Sequence, residues 1–523
     1  MKRTLSGTLA GLFFLGLVIC GISLGCNAIL GLSDFSVGGD ASAFGDGGGF
    51  DARADDGGCV DPNGFNGKGC WRCEATTPKQ LLSACTTAKF VEFDNTARIP
   101  GFDPAAPKPP VDGLDAGAPD TGSIVPPVLG NDAGAPECTF TEVPNGNPVL
   151  IVGATGYPFD VVARAMAGQA TLYFREVSSC VAIESIVTGG TKFAGPVKYF
   201  NPTDGTTKDC FVSPGSERPA DVSPSSLFPE TCGVKTLPNE VSDFLGPANP
   251  VVFIAPRVGS TPQQEAISGE AAYRVYGFGG AQYPVQPWVD ERFIFRRTAS
   301  SGNQNTIAQT LGLPADRFRG TDSGGSSKMK TVVESSPEPT ATIGISSSEI
   351  VDTQAGRGSL KTMAYQHFGQ PVAFYPDANP TAYDKFNIRD GHYYIWVSLH
   401  VYARTNGGGD IVGAQANNNL GGRSPEAVKN LVLAMTNRKE YPTPTADVFS
   451  AQKIAGLVPQ CAMRVTRDKE GGPLRPFKPN LGCECAFDLA NPSGVGRPEC
   501  KACVDNSACP ADRARCSFGY CEK

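Results

Sequence analysis

Two short turns carry the side chains best suited to holding a ligand. Gly153-Ala-Thr-Gly-Tyr157 follows the apolar run Pro148-Val-Leu-Ile-Val152 and precedes the helical pattern Pro158-Phe-Asp-Val-Val-Ala-Arg-Ala-Met166. Ser178-Ser179-Cys180 lies between Ala170-Thr-Leu-Tyr-Phe174 and Val181-Ala-Ile-Glu-Ser-Ile-Val187. Thr155, Gly156, Tyr157, Ser178 and Ser179 therefore stand where a strand ends and a helix begins. Hydroxyls, small residues and unpaired amides at a helix start are groups that hold a small anion. Each serine taken alone reads more simply as an N-cap.

The elements around those turns alternate, apolar run then helical pattern, which implies an α/β fold with a parallel sheet whose ligands sit at the carboxyl ends of its strands. Further strands are expected at Val251-Val-Phe-Ile254, Arg292-Phe-Ile-Phe-Arg296, Thr342-Ile-Gly-Ile345 and Tyr393-Tyr-Ile-Trp-Val397. Ser260-Thr261-Pro262 signals a helix start, with the helix running to Tyr276 and Gly277 as its stop. Ser424-Pro425 opens another, with Val428, Leu431, Val432 and Met435 on one face.

The chain begins with an address. Lys2 and Arg3 precede an uncharged stretch that lasts until Asp34, with an apolar centre at residues 9–24, the layout of a secretory signal. It ends in Ser23-Leu24-Gly25-Cys26, similar to a bacterial lipobox, with Ser23 where leucine is usual; Cys26 would carry the lipid and become the N-terminus. The alternative is an uncleaved membrane anchor. Either way the bulk of the chain is exported and tethered to a bilayer. Asn27 favours the outer membrane over inner-membrane retention. Of 18 cysteines, setting aside Cys20 and Cys26 leaves sixteen, an even number in an oxidising compartment, which argues for disulfides. Zinc is the rival at Cys500-Lys-Ala-Cys503, but irregular spacing and crowding with further cysteines disfavour it.

Composition divides the 523 residues. Residues 1–25 are the signal, 26–58 a Gly/Asp-rich tether, 59–97 a small cysteine-rich module, and 98–144 a Pro/Ala/Gly linker. Residues 145–460 have the apolar periodicity of a large domain, and 461–523 form a cysteine-stapled tail too small for much of a core. A net charge of −7 without a basic cluster argues against nucleic acid and supplies no long-range attraction for an anion.

Residues 145–460 resemble the phosphate-binding proteins of bacterial ABC importers, in the type 2 periplasmic binding-protein superfamily. An ordered series carries the resemblance: Gly153-Ala-Thr-Gly-Tyr-Pro-Phe159 and Ser178-Ser179-Cys180 as ligand loops, Arg297-Thr-Ala-Ser-Ser-Gly-Asn303 for an Arg-x-Asp-x-Ser-Gly-Thr loop, then Ile343-Gly-Ile345 and Asn387-Ile-Arg-Asp-Gly391. The resemblance implies two α/β lobes closing by a hinge on a small oxyanion, with lobe one at 145–250 and 393–460 and lobe two at 257–392. It adds Ser226, Arg297, Ser301, Gly302 and Asn303 to the candidate ligand residues, Arg297 as a bidentate contact. It implies no cofactor and no metal, and a permease as partner. Two departures stand out. Ser226 and Ala299 occupy positions where the family carries aspartates, one of which accepts a proton from the ligand. Their loss is expected to weaken discrimination of phosphate from sulfate-like anions. The flanking cysteine modules resemble those of a group of exported bacterial lipoproteins.

Two other readings stay open. A surface interaction or sensory lipoprotein could reuse the fold, since tether and modules exceed what import needs. An exported hydrolase would have to use His392 or His400, and no Gly-x-Ser-x-Gly elbow is present. Gly320-Thr-Asp-Ser-Gly-Gly-Ser-Ser-Lys328 lacks the lysine placement of a phosphate-binding loop and is read as a loop before a helix. Trp288 and Trp396 are expected in the core.

Overall fold

The computed structural model describes residues 58–111, 134–140, 148–154, 159–188, 193–201, 203–258, 264–280, 282–407, 409–412, 425–436, 448–490 and 499–523. The signal, Cys26, nearly all of the tether, and Thr155, Gly156 and Tyr157 of the first turn lie outside the described residues. In chain order, the elements that matter here begin with β1 (Phe90–Val91), β2 (Pro148–Ala154), α1 (Phe159–Met166), β3 (Thr171–Val177) and α2 (Ser179–Val187). β4 (Gly195–Asn201), β5 (Thr206–Val212), β6 (Val222–Ser225) and the long β7 (Val241–Pro256) follow. Next come β8 (Ala266–Ser268), α3 (Gly269–Phe278), α4 (Gly302–Leu311), α5 (Ser326–Glu334), β9 (Gly344–Ser347) and β10 (Leu360–Thr362). β11 (Ala364–Gln366), β12 (Ala373–Phe374), β13 (Trp396–Arg404) and α6 (Pro425–Thr436) complete the set.

The class is α/β, but the main sheet is mixed rather than parallel. Its order is β9-β7-β13-β6-β2-β3-β4-β5, with β10 also on β7. Only the β6–β2–β3 centre is parallel, and every other pairing is antiparallel. The fully buried β2, with its unbroken apolar sequence, holds that parallel centre. β7 joins the two lobes. Residues 241–250 pair with β13 in lobe one, while 251–256 pair with β9 and β10 in lobe two. A single uninterrupted strand thus crosses where the sequence places a hinge.

Several element boundaries differ from the sequence reading. The helix start expected at Ser260-Thr261-Pro262 lies outside the described residues, and in the described part of that run the helix begins only at Gly269. Residues 266–268 instead pair in parallel with β11, and Ser268 caps the helix by accepting from the Ala271 amide at 3.0 Å. Gly277 lies inside α3, which Gly279 ends with a positive φ of 66°. Of the expected strand 292–296 only Phe295–Arg296 forms a strand, preceded by an extended Ile294 and a 3-10 turn at Glu291–Phe293. β13 begins at Trp396, leaving Tyr393, Tyr394 and Ile395 as buried, non-strand core. The stretch 387–391 is part of a short helix, Phe386–Asp390, ended by Gly391 at a φ of 94°.

Lobe one has its own apolar clusters, the largest joining β2, β3, α1 and α6 through Ile151, Phe174, Met166 and Leu431. Lobe two does not close on its own residues. Its core includes Leu82, Phe93 and Ile99 from before the large domain and Met463, Leu474 and Phe487 from after it. β1 extends the β8-β11-β12 sheet, and Tyr273 donates to the Pro109 carbonyl at 2.7 Å, so residues 90–111 strap lobe two. Trp288 and Trp396 are both buried. Eight disulfides pair every cysteine from Cys59 onward; seven stay within one segment, and Cys138–Cys210 ties the linker to lobe one. Cys500 and Cys503 are thereby oxidised, with no thiolate to offer zinc. Among the described residues no helix is long and apolar enough to cross a membrane.

Candidate functional site

The second turn, the segment after β6 and the start of α4 meet. A Cβ placed on Gly302 would fall 2.7 Å from Ser179 Oγ and 2.9 Å from Ser226 Cβ. Ser179 opens α2 at the carboxyl end of β3, Ser226 follows β6, and Ser301 is the N-cap residue of α4. All three are at least nine-tenths buried. At such positions a serine ordinarily caps its own helix, yet neither Ser178 nor Ser301 does so with its side chain. Among the described residues the hydroxyls of Ser179, Ser226 and Ser301 make no hydrogen bond. These hydroxyls are therefore open to solvent or to a ligand rather than spent on capping their own helices. The first-turn amides of α2 and α4 add donors with a positive dipole end.

Arg297 is placed differently from expectation. Its Nε donates to the Gly324 carbonyl at 2.6 Å and its Nη1 to Ser326 Oγ at 2.8 Å, fixing the start of α5. The bidentate fork is therefore committed to protein, and among the described residues only Nη2 is left without a partner. Burial lowers the guanidinium pKa, and the fields of Glu349, Asp322 and Glu176 oppose that. Asp322 is itself paired with Arg296 at 2.9 Å.

Sequence reasoning missed four residues here. Asn303 Nδ2 donates to Ser347 Oγ at 2.9 Å, and Ser347 in turn donates to Glu349 Oε1. Asn249, on β7 where it crosses between lobes, donates to Glu349 Oε2 at 3.2 Å, and its own Oδ1 is buried without a partner. With Ser326, these make the missed set. Desolvation raises the Glu349 pKa, opposed by the Ser347, Asn249 and Arg297 interactions. An acidic group is thus linked to Asn303 through Ser347 although Ser226 and Ala299 are not acidic; it comes from the helical turn just after β9. The run Ser346-Ser-Ser-Glu349 after an apolar strand was the available signal, and Asn249 inside an apolar strand gave none.

His392 and His400 each hold an aspartate, and His400 Nε2 is buried without a partner. His392 uses both ring nitrogens, on Asp390 Oδ1 at 2.7 Å and on the Ala84 carbonyl at 2.7 Å, so it has no face for a serine nucleophile. His400 holds Asp243 at 2.8 Å through Nδ1. The residues of 387–391 are structural: Asn387 donates to the Tyr375 and Asp377 carbonyls, and Arg389 pairs with Asp488 at 2.5 Å.

The class these features define is a two-lobed α/β chain with a hydroxyl-lined site at strand ends. No protein-family profile matches the chain, and no curated protein sequence matches it. Solved structures similar to it include a putative phosphate ABC transporter substrate-binding protein with bound phosphate from Clostridium perfringens. That match has 12% identity, covers 60% of this chain and 99% of that one, and has a TM-score of 0.37. An ABC-type phosphate transport receptor from Vibrio cholerae matches at 15% identity over 60% and 99% of the two chains, with a TM-score of 0.34. The OxyR regulatory domain of Pseudomonas aeruginosa matches at 10% identity over 50% and 91%, with a TM-score of 0.29.

Proposed function

We propose that this chain is an exported solute-binding lipoprotein, anchored through Cys26, that holds phosphate or a related small oxyanion between its lobes for an ABC-type permease. One observation carries the reading: Ser179, Ser226 and Ser301, nearly buried and free of hydrogen bonds, gather around the α4 start at Gly302. Neutral donors and helix-start amides bind a tetrahedral oxyanion without needing a net positive protein. Arg297 contributes charge through Nη2 and holds the α5 start in place.

Calorimetric titration of the chain from Cys26 onward with phosphate, sulfate, arsenate and methylphosphonate tests this. Saturable binding is expected, weakened about tenfold or more by Gly302→Ala, whose methyl would press on Ser179 and Ser226, in line with the loss of one or two charge-assisted hydrogen bonds. No heat with any of these anions would overturn the reading. With Glu349 linked to Asn303 through Ser347, a pH-dependent ranking of phosphate against sulfate that Glu349→Gln flattens would assign the acidic acceptor. Incorporation of labelled palmitate, lost in Cys26→Ser, tests the anchor.

A sensory or interaction lipoprotein remains the second reading, favoured by one feature. The terminal cysteine modules contribute side chains to the lobe-two core, so a partner on the tail would bear directly on that lobe.

A further inference from the structure

We infer that the tail carries a latch, a hairpin tip at residues 467–472 that staples the two lobes together close to the serines of the candidate site. The latch acts on the lobes themselves and is indifferent to which ligand they hold.

The hairpin is built locally. Val465–Thr466 pairs antiparallel with Arg475–Pro476, and the Cys461–Cys483 disulfide closes its base. Val465 and Leu474 are fully buried in the lobe-two core, which anchors both arms and sets where the tip lies. Arg467 lies over the Tyr394 and Trp396 rings, 4.7 and 4.3 Å from their centroids, and donates Nη2 to the Tyr394 carbonyl at 2.7 Å. The Tyr394 hydroxyl stands 3.0 and 2.8 Å from the Gly471 and Gly472 carbonyls and orients the turn.

Two consecutive residues of the tip grip different lobes. Both carboxylate oxygens of Glu470 are taken by lobe one, Oε1 accepting from the Phe228 amide and Oε2 from the Thr231 hydroxyl at 2.7 Å. Gly471 lies against lobe two. A Cβ there would fall 2.5 Å from the Thr310 amide nitrogen and 2.6 Å from the Gln309 carbonyl carbon, in the last turn of α4. With a φ of 61° as well, only glycine suits this backbone-to-backbone contact.

The two grips fall on the elements that carry the site. Phe228 follows closely on Ser226, and α4 is the helix that begins at Gly302, against Ser226. The tip therefore helps to fix the spacing between Ser226 on one lobe and Gly302 on the other. Lobes joined only by crossover strands open by bending them; a further tie restrains that motion. Such a site is assembled in advance, which lowers the ordering cost of binding and slows entry and release.

Small-angle X-ray scattering on the chain from Cys26 onward, without added anion, tests the latch. Glu470→Ala frees the tip from lobe one and Gly471→Ala pushes it off lobe two, so each is expected to increase the radius of gyration. The double variant should widen no further than either single one, because a staple cut at one end is already open. Glu470→Gln keeps an acceptor for the Phe228 amide and a donor for the Thr231 hydroxyl, and should stay as compact as the native protein. Native dimensions in both single alanine variants, or widening that sums in the double variant, would overturn the proposal. Widening accompanied by loss of helix in circular dichroism would overturn it too, since the tip would then support the fold rather than the lobe spacing. So would contraction of the native protein on adding phosphate. A stopped-flow arm with inorganic phosphate rests on the oxyanion reading: association should quicken about tenfold in Glu470→Ala, the scale of one charge-assisted hydrogen bond. The expected widening without phosphate binding in any form of the protein would sink the oxyanion reading and leave the latch standing.

Discussion

Lobe one and lobe two are held together in different ways. Lobe one carries one internal disulfide, Cys180–Cys232, and a second, Cys138–Cys210, that ties the preceding linker to it, and apart from Cys138 and Phe140 its apolar clusters draw on residues of that lobe. Lobe two contains no cysteine between residues 257 and 392. It is closed instead by chain from both sides, with Leu82, Phe93 and Ile99 on one flank and Phe487 on the other. The disulfides of those flanks stiffen the clamp rather than the lobe. The internal cross-link in lobe one also reaches the candidate site, because Cys180 follows Ser179 and Cys232 closes the turn after Ser226. The difference implies that the lobes fail separately, lobe one by reduction and lobe two by loss of its clamp.

The largest effect is expected at the clamp. Arg389 is 1% exposed, pairs with Asp488 and donates Nε to the Ala462 carbonyl at 3.1 Å, tying lobe two to the tail. Arg389→Met removes the cation paired with Asp488, and with Lys453 also close to Asp488 the cost is at most about 3–5 kcal/mol. Urea unfolding should show that loss in the lobe-two transition, with the tail newly cleaved by protease and lobe one unmoved. Equal loss in both lobes would break the comparison.

Next is the lobe-one cross-link. Replacing Cys180 and Cys232 together by serine opens a loop spanned by a sequence separation of 52. The chain-entropy contribution lost is about 4 kcal/mol at most. It should fall on lobe one and weaken oxyanion binding, because α2 would no longer hold Ser179 against Gly302. A variant that keeps full affinity would show that packing alone positions the α2 start.

How much of this was legible in the sequence follows the same division. In lobe one, unbroken apolar runs and helix-start serines placed β2, β3, α2 and α6 to within a few residues, because those elements obey local periodicity. In lobe two the local signals were overruled by tertiary pairing. The helix expected through 264–268 gave way to a strand that pairs with β11, and the expected strand at 292–296 shrank to two residues. Ser179 was visible because a strand end can be read, whereas Ser226 and Ser301 came from the family resemblance. Glu349 and Asn249 were not, since only the antiparallel pairing of β9 with β7 brings them together. Arg297 was found with its geometry misassigned, since no spacing reveals that Gly324 and Ser326 occupy its fork.

The smallest effect probes the seam between strap, lobe and tail. His367 stacks on Tyr394 with ring centroids 3.7 Å apart, and its Nδ1 lies 3.2 Å from the Tyr365 hydroxyl. Burial, then the charges of Arg467 from the tail and Lys108 from the strap, push its pKa down from 6.5 to about 3. Between those values the unfolded chain binds a proton that the native protein refuses, so the His367 contribution is fully present above pH 6.5 and is lost as pH falls toward 3. Asp377 acts in the opposite sense, because burial raises its pKa and its native form keeps a proton just above the ordinary carboxylate range. The informative quantity is therefore the difference between the native protein and His367→Gln. That difference should change by up to ~1.4 kcal/mol per pH unit between about pH 4.5 and 6.5, with the native protein gaining as pH rises. Unfolding midpoints measured across that range check it. A constant difference would mean that the seam opens enough to let His367 titrate as it does in water, and that lobe two is clamped less tightly than its buried contacts imply.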